Sequence, residues 1–325
     1  MLHPFLGFVD TGGIDSGRFD YYYKHADKCF SLVPSPEEAD LLVCPIDYTY
    51  EQCKNIAPFY NDLAGKLNKP FLLFFINDSF CPIFYENAII LRTSLNKKKQ
   101  RPNEFSIPGW SKDHLIDDLN KGINFVRPKR TIPSIGYCGY GKNTIQSMKD
   151  ALIRIQGRLI GAEDIFTPHA FRWTFLSSLQ RTSGIDCHFI IRKHFWGAGG
   201  NMNVTRSEFI ENLKNNDYAF ATRGRGNYSY RLYEIISCGR IPLFVNTDAV
   251  LPYDWLIDYR KLFVWVDPDQ HNTVGVILKT FHANCTDEMF ILRQREMRNL
   301  YENWLSPYGF FKNLWRLLAF KHPQA

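Results

Sequence analysis

Residues 223 to 244 read RGRGNYSYRLYEIISCGRIPLF. Arg223, Arg225 and Arg231 offer planar forks of N–H donors, the shape that matches phosphate oxygens. Gly224 and Gly226 remove side chains from the intervening backbone, so a ligand can come close to it. Glu234 follows Arg231 by three residues and is the wrong charge for a phosphate. A carboxylate just beyond a phosphate site can instead accept two hydrogen bonds from a ribose diol, so the set points to a nucleoside diphosphate. The plainer alternative is an Arg231–Glu234 pair along one helix, worth about 0.2–0.5 kcal/mol, beside ordinary loop glycines. Spacing alone leaves both readings open.

The elements around this stretch say where such groups would sit. The apolar run YAFAT (218 to 222) precedes it and IPLFV (241 to 245) ends it, which leaves room for one loop and one helix between two strands. Tyr228, Leu232, Ile235 and Ile236 share the helical face that must pack on a sheet, with Arg231 and Glu234 on a flank. Gly239 suits the left-handed residue that closes a helix. A loop that follows a parallel strand and opens a helix points N–H groups and the positive end of the helix dipole outward. That edge is where α/β proteins bind ligands.

With these residues in place, the stretch resembles the signature of the exostosin-like glycosyltransferases, family 47, in a compact single-module form. Arg223 and Gly224 match the family's R-G; Ser229, Arg231, Leu232 and Glu234 match S-x-R-L-x-E; Gly239, Ile241 and Pro242 match G-x-I-P; Leu251 and Pro252 supply the later L-P. The clear resemblance runs from about 205 to 266. A weaker echo lies in PSPEEADLLVCPIDY, at 34 to 48. Ala221 and Thr222 replace the family's Cys-Pro, a departure at the strand end. The resemblance implies an α/β fold of GT-B type, with two Rossmann-like domains and a cleft between them. It implies a nucleotide sugar, a UDP-sugar foremost, held by the second domain, a glycan or lipid-linked acceptor on the first, inversion at the anomeric carbon, and no metal or other cofactor. Donor contacts would then include Arg223, Arg225, Gly226, Ser229, Arg231 and Glu234. A catalytically silent glycan- or nucleotide-binding module of the same fold is the competing reading.

Three other constellations bear on function. GYCGYGKNT (136 to 144) satisfies G-x-x-x-x-G-K through Gly136, Gly141 and Lys142, but Asn143 stands where a P-loop needs a hydroxyl for magnesium. A nucleotide hydrolase is therefore the lesser reading; the run is expected to be the first strand-to-helix loop of the nucleotide domain, with Gly139 and Lys142 near the donor. DPD (267 to 269) could be a D-x-D metal motif, yet its proline suits a turn. Displacement at a sugar carbon also needs an acceptor for the incoming hydroxyl's proton. Asp78, after FFIN, and Asp47, after LLVCPI, both stand at the ends of expected parallel strands, and either could instead cap a turn.

The remaining features set bounds. A chain of 325 residues, 45% hydrophobic, can bury two cores. The expected division is an acceptor-side domain over 1–130, a nucleotide-sugar domain over 131–300, and a helix over 301–325 packing back on the first domain. Strands are expected at 41–46, 70–77 and 88–94, then at 134–139, 188–192 and 261–266, with helices at 51–68, 143–160 and 170–180. Ser35 to Glu38 and Thr205 to Glu208 read as helix-capping boxes. The net charge of +6 is spread along the chain, so nucleic acid is not indicated as a partner. NKKKQR at 96–101 reads as a solvated loop. Eight cysteines without a C-x-x-C pair suit reduced core positions. Together with the want of a long apolar segment, they predict a cytoplasmic protein. The basic, amphipathic C-terminal stretch keeps peripheral membrane contact open. Oligomeric state is not legible.

Overall fold

The structure is a computed structural model, and it describes residues 29–141, 167–192 and 201–321. The expected helix over 143–160, Lys142 and Asn143 lie outside the described residues.

The first sheet is built from β1 (Leu42–Val43), β2 (Phe71–Phe75), β3 (Ala88–Arg92) and β4 (Glu104–Ser106), all parallel and in chain order. Every residue of β2 and β3 is buried. That is why FLLFF and AIILR read as unbroken apolar runs rather than as alternations: a parallel sheet is covered on both faces. Phe71, Leu73 and Phe75 face the helix α1 (Glu51–Leu67), which contributes Cys53, Ala57 and Ala64. Leu72 and Phe74 face the other way, into a cluster with Phe310, Phe311, Leu314 and Leu317 from the end of the chain. Pro58 lies within α1, which runs through it. The short strand β4 was not legible in the sequence, since Glu-Phe-Ser carries no strand signature. The Ser35 box closes only a turn, with Glu38 N donating to the Ser35 carbonyl.

A short helix, α2 (Ile116–Asn120), precedes the second sheet. That sheet comprises β5 (Ser134–Tyr140), β6 (Asp186–Arg192), β7 (Tyr218–Thr222), β8 (Ile241–Val245) and β9 (Val264–Val266), again all parallel. Its order is β6-β5-β7-β8-β9. The crossovers contain α3 (Pro168–Arg181), α4 (Met202–Lys214), α5 (Tyr230–Ser237) and α6 (Tyr259–Leu262). Helices α7 (Val274–Ala283), α8 (Asp287–Leu300), α9 (Pro307–Lys312) and α10 (Leu314–Lys321) follow, the last two covering the first sheet. One face of the second sheet packs on α3 and α7, the other on α4, α5 and α8.

Two local expectations are corrected. Helix α4 starts at Met202, capped by the Asn201 side chain, which accepts from Asn203 N and Val204 N. Thr205 is therefore inside the helix, its hydroxyl donating to the Asn201 carbonyl, and no Thr205–Glu208 box forms. Helix α5 starts at Tyr230, so Tyr228 belongs to the preceding loop while Leu232, Ile235 and Ile236 make the buried face. Burying each of those three aliphatic side chains contributes roughly 1.5–3 kcal/mol. Gly239 does end α5 with φ +62°.

Candidate functional site

Strand β5 leads first to β6 on one side and then, by way of α4, to β7 on the other. Such a reversal of strand order opens a crevice outside the carboxyl ends of the strands, where open α/β sheets take their ligands. The register shows the opening directly. β5 pairs with β6 from Ser134 through Tyr140, but with β7 only at Ile135↔Tyr218 and Gly136↔Ala219. Beyond Gly136 the two strands part.

Arg231 enters that gap. From the first turn of α5 its Nη2 donates to the Cys138 carbonyl of β5 (2.7 Å), and its guanidinium lies 4.3 Å from the centre of the Tyr137 ring. A Cβ at position 139 would collide with the same Nη2, so Gly139 is glycine to admit the guanidinium. Arg172, from the first turns of α3, arrives from the opposite side. Its Nη1 donates to the Tyr140 carbonyl (2.9 Å), and its guanidinium lies 5.7 Å from the same ring centre. Burial holds the Arg172 guanidinium below its usual pKa, with the charge of Arg231 pushing the same way. Arg231 Nε is buried and finds no hydrogen-bond partner among the described residues, and the same holds for the hydroxyl of Thr222 at the end of β7.

The 223–229 loop faces the first sheet. Gly224 N closes it by donating to the Tyr228 carbonyl (2.8 Å). Asn227 is buried and pins it: its backbone N donates to Ser94 Oγ (2.9 Å), and its Nδ2 to the Leu95 and Thr247 carbonyls. Arg223 donates to the Arg225 carbonyl and sits 5.5 Å from the Phe80 ring centre, while Arg225 is exposed. Burial depresses the Arg223 pKa, and the negative charge of Asp78 opposes that shift. At Gly226 a Cβ would fall 2.7 Å from Asp78 Oδ1 and 2.9 Å from its Cα, so the glycine lets the two loops touch. Ser229 occupies the N-cap of α5 without a side-chain cap bond.

The structure thus brings Asp78, Arg223 and Gly226 together on one side, and Arg231 and Gly139 together on the other. Asp78 is exposed. Asp47 is buried, its two oxygens accepting from Thr49 N (2.8 Å) and Ile76 N (2.9 Å), which ties the end of β1 to the end of β2. Glu234 Oε1 accepts from Arg206 Nη2 (3.3 Å) and lies 3.6 Å from His114 Nε2. It joins α5 to α4 and to the segment leading from the first sheet. Lys142 lies outside the described residues. DPD is a turn: Asp267 and Gln270 form a capping box around residues 268–272. In the basic run, Lys97 pairs with Asp254 (2.8 Å) and so docks on the second half of the chain. Sequence reasoning missed Arg172 and Asn227. Neither carries a spacing signal, though an asparagine between a glycine-rich turn and a helix start is a type suited to tying loops.

Comparison with known proteins adds to this geometry. No family model matches the chain. Over 95 residues, 29% of the chain, it is 28% identical to Exostosin-1 of Drosophila melanogaster, covering 12% of that protein. It is 30% identical over 95 residues to the Arabidopsis thaliana protein named Probable arabinosyltransferase ARAD1, covering 21% of it. Against Exostosin-1a of Danio rerio identity is 24% over 221 residues, 64% of this chain and 27% of the relative. The chain therefore spans about a quarter or less of the length of the curated relatives it matches. Among solved structures it aligns with WaaG, a glycosyltransferase involved in lipopolysaccharide biosynthesis, at 11% identity and a TM-score of 0.35, covering 93% of this chain and 96% of that one. The chain resembles the exostosin-like glycosyltransferases, and its fold is α/β with two parallel sheets.

Proposed function

We propose that the chain is an inverting glycosyltransferase of GT-B type that moves a sugar from a nucleoside diphosphate sugar, UDP foremost, to a glycan or lipid-linked saccharide. The observation that carries this reading is Arg231, locked into the opening between β5 and β7 with its buried Nε unpartnered among the described residues. A fixed guanidinium at a switch point suits a diphosphate. In the proposed reaction the acceptor hydroxyl attacks the anomeric carbon from the side of the first sheet, and Asp78 takes its proton. The bond from that carbon to the phosphate oxygen breaks, and its electron pair stays on the leaving diphosphate. Arg231, with Arg223 and the loop N–H groups, would stabilise that growing charge, and Glu234 would share its carboxylate with the ribose. Arginines in this role make a divalent metal dispensable, so activity in EDTA should equal activity with manganese.

The test is transfer. Purified protein is offered UDP-, GDP- and CDP-sugars with oligosaccharide acceptors, and both product and free nucleotide are followed. One donor should raise thermal stability, by about 2.7 kcal/mol at a hundredfold excess over its Kd, and should turn over. Binding of a donor with no transfer to any acceptor would favour the silent module. Binding of none would overturn the reading.

A further inference from the structure

Two cations set against one aromatic ring need a reason. Arg172 and Arg231 come from different helices, stack on the same Tyr137 ring, and donate to carbonyls two residues apart, Tyr140 and Cys138. Among the described residues no carboxylate pairs with either of them. The arginines around them are neutralised: Arg192 pairs with Glu208 (3.1 Å) and Arg206 with Glu234. Like charges crowded in a half-buried place repel, and a fold keeps such a pair where an anion joins them. Each guanidinium donates to one carbonyl, and Arg172 also meets the Tyr137 hydroxyl, which still leaves N–H groups to share. The buried Arg231 Nε, which finds no partner among the described residues, adds another donor.

We infer that Arg172 is a phosphate ligand of the donor, forming with Arg231 a two-guanidinium clamp at the carboxyl end of β5. This rests on the proposed donor reading and extends it to a residue outside the 223–234 stretch. Tyr137 is the platform that holds both guanidiniums at a fixed spacing, and the carbonyls of Cys138 and Tyr140 set their planes. A lysine at 172 would keep the charge but lose the fork.

Calorimetric titration of UDP, uridine and inorganic pyrophosphate into the wild type, Arg172→Ala, Arg172→Lys and Arg231→Ala tests this, with thermal melts to verify folding. Arg172→Ala should weaken UDP and pyrophosphate at least tenfold and leave uridine within twofold, and Arg172→Lys should recover part of the loss. Should uridine weaken in step with UDP, Arg172 acts through the shape of the site and the inference is overturned. Should Arg231→Ala lose UDP while Arg172→Ala and Arg172→Lys bind it normally, the clamp is wrong and the donor reading stands. A wild type that binds neither UDP nor pyrophosphate sinks both together. If Arg172→Ala does not fold, the lysine variant decides: UDP binding unchanged from wild type overturns the clamp.

Discussion

The two sheets use the same parallel construction and differ in one respect that matters for chemistry. In the first, β1 to β4 follow chain order, and β2 pairs with β3 along its whole length, Phe71↔Ala88 through Phe75↔Arg92. In the second the order reverses at β5, and the β5–β7 ladder stops after two residue pairs. A sheet that never reverses opens no crevice between its strands, and its polar groups at the strand ends serve to tie loops, as Asp47 ties Thr49 and Ile76. A sheet that reverses leaves an opening that something polar must fill. Here arginines fill it, so the second sheet is suited to hold an anion, while the first offers an exposed carboxylate, Asp78, beside the 223–229 loop.

The largest expected effect tests the first sheet's share. Asp78→Asn should lower turnover by roughly 10²–10⁴ with donor affinity unchanged, because a general base acts in the transition state. Asp47→Asn, in contrast, should lower the melting temperature. Turnover that survives Asp78→Asn intact would remove the first sheet from the chemistry. Next comes Arg231→Ala, which should cost on the order of 10²–10³ in kcat, by analogy with the loss of one oxyanion donor. A folded variant with normal turnover and unchanged UDP affinity would reduce Arg231 to a brace for the Cys138 carbonyl.

Glu234→Ala should raise donor KM by an amount equivalent to about 1–3 kcal/mol, the usual cost of an unmade buried hydrogen bond. The same change should lower the melting temperature, since Arg206 and His114 lose their shared partner. A lower melting temperature with unchanged KM would confine Glu234 to the clamp between α4 and α5. The smallest effect is expected from Gly139→Ala, whose Cβ meets the flexible end of Arg231 and, at 3.1 Å, the Tyr137 hydroxyl. Stability should hold while donor affinity falls several-fold; unchanged affinity would show that the position of that guanidinium is immaterial.

Much of this was legible in the sequence because most of the strands are short, buried runs and the helices between them carry apolar faces. YAFAT and IPLFV are strands at the expected residues, Tyr218–Thr222 and Ile241–Val245. Strand order was not legible, since pairing between distant segments leaves no local pattern. Hence the splay beside Gly139 and the approach of Arg172 were hidden. Glu234 shows the same limit: helical spacing places it beside Arg231, whereas its contacts with Arg206 and His114 come from α4 and from residue 114, far away in the chain. Thr205 and Glu208 have the spacing of a capping box, and the asparagine four residues before the threonine takes that role instead.

The most direct test of the account is a crystal structure of the protein with UDP. The diphosphate should lie in the opening between β5 and β7, with phosphate oxygens within hydrogen-bonding distance of the Arg231 guanidinium. UDP seated at the first sheet, or anywhere that leaves Arg231 without a phosphate contact, would contradict it.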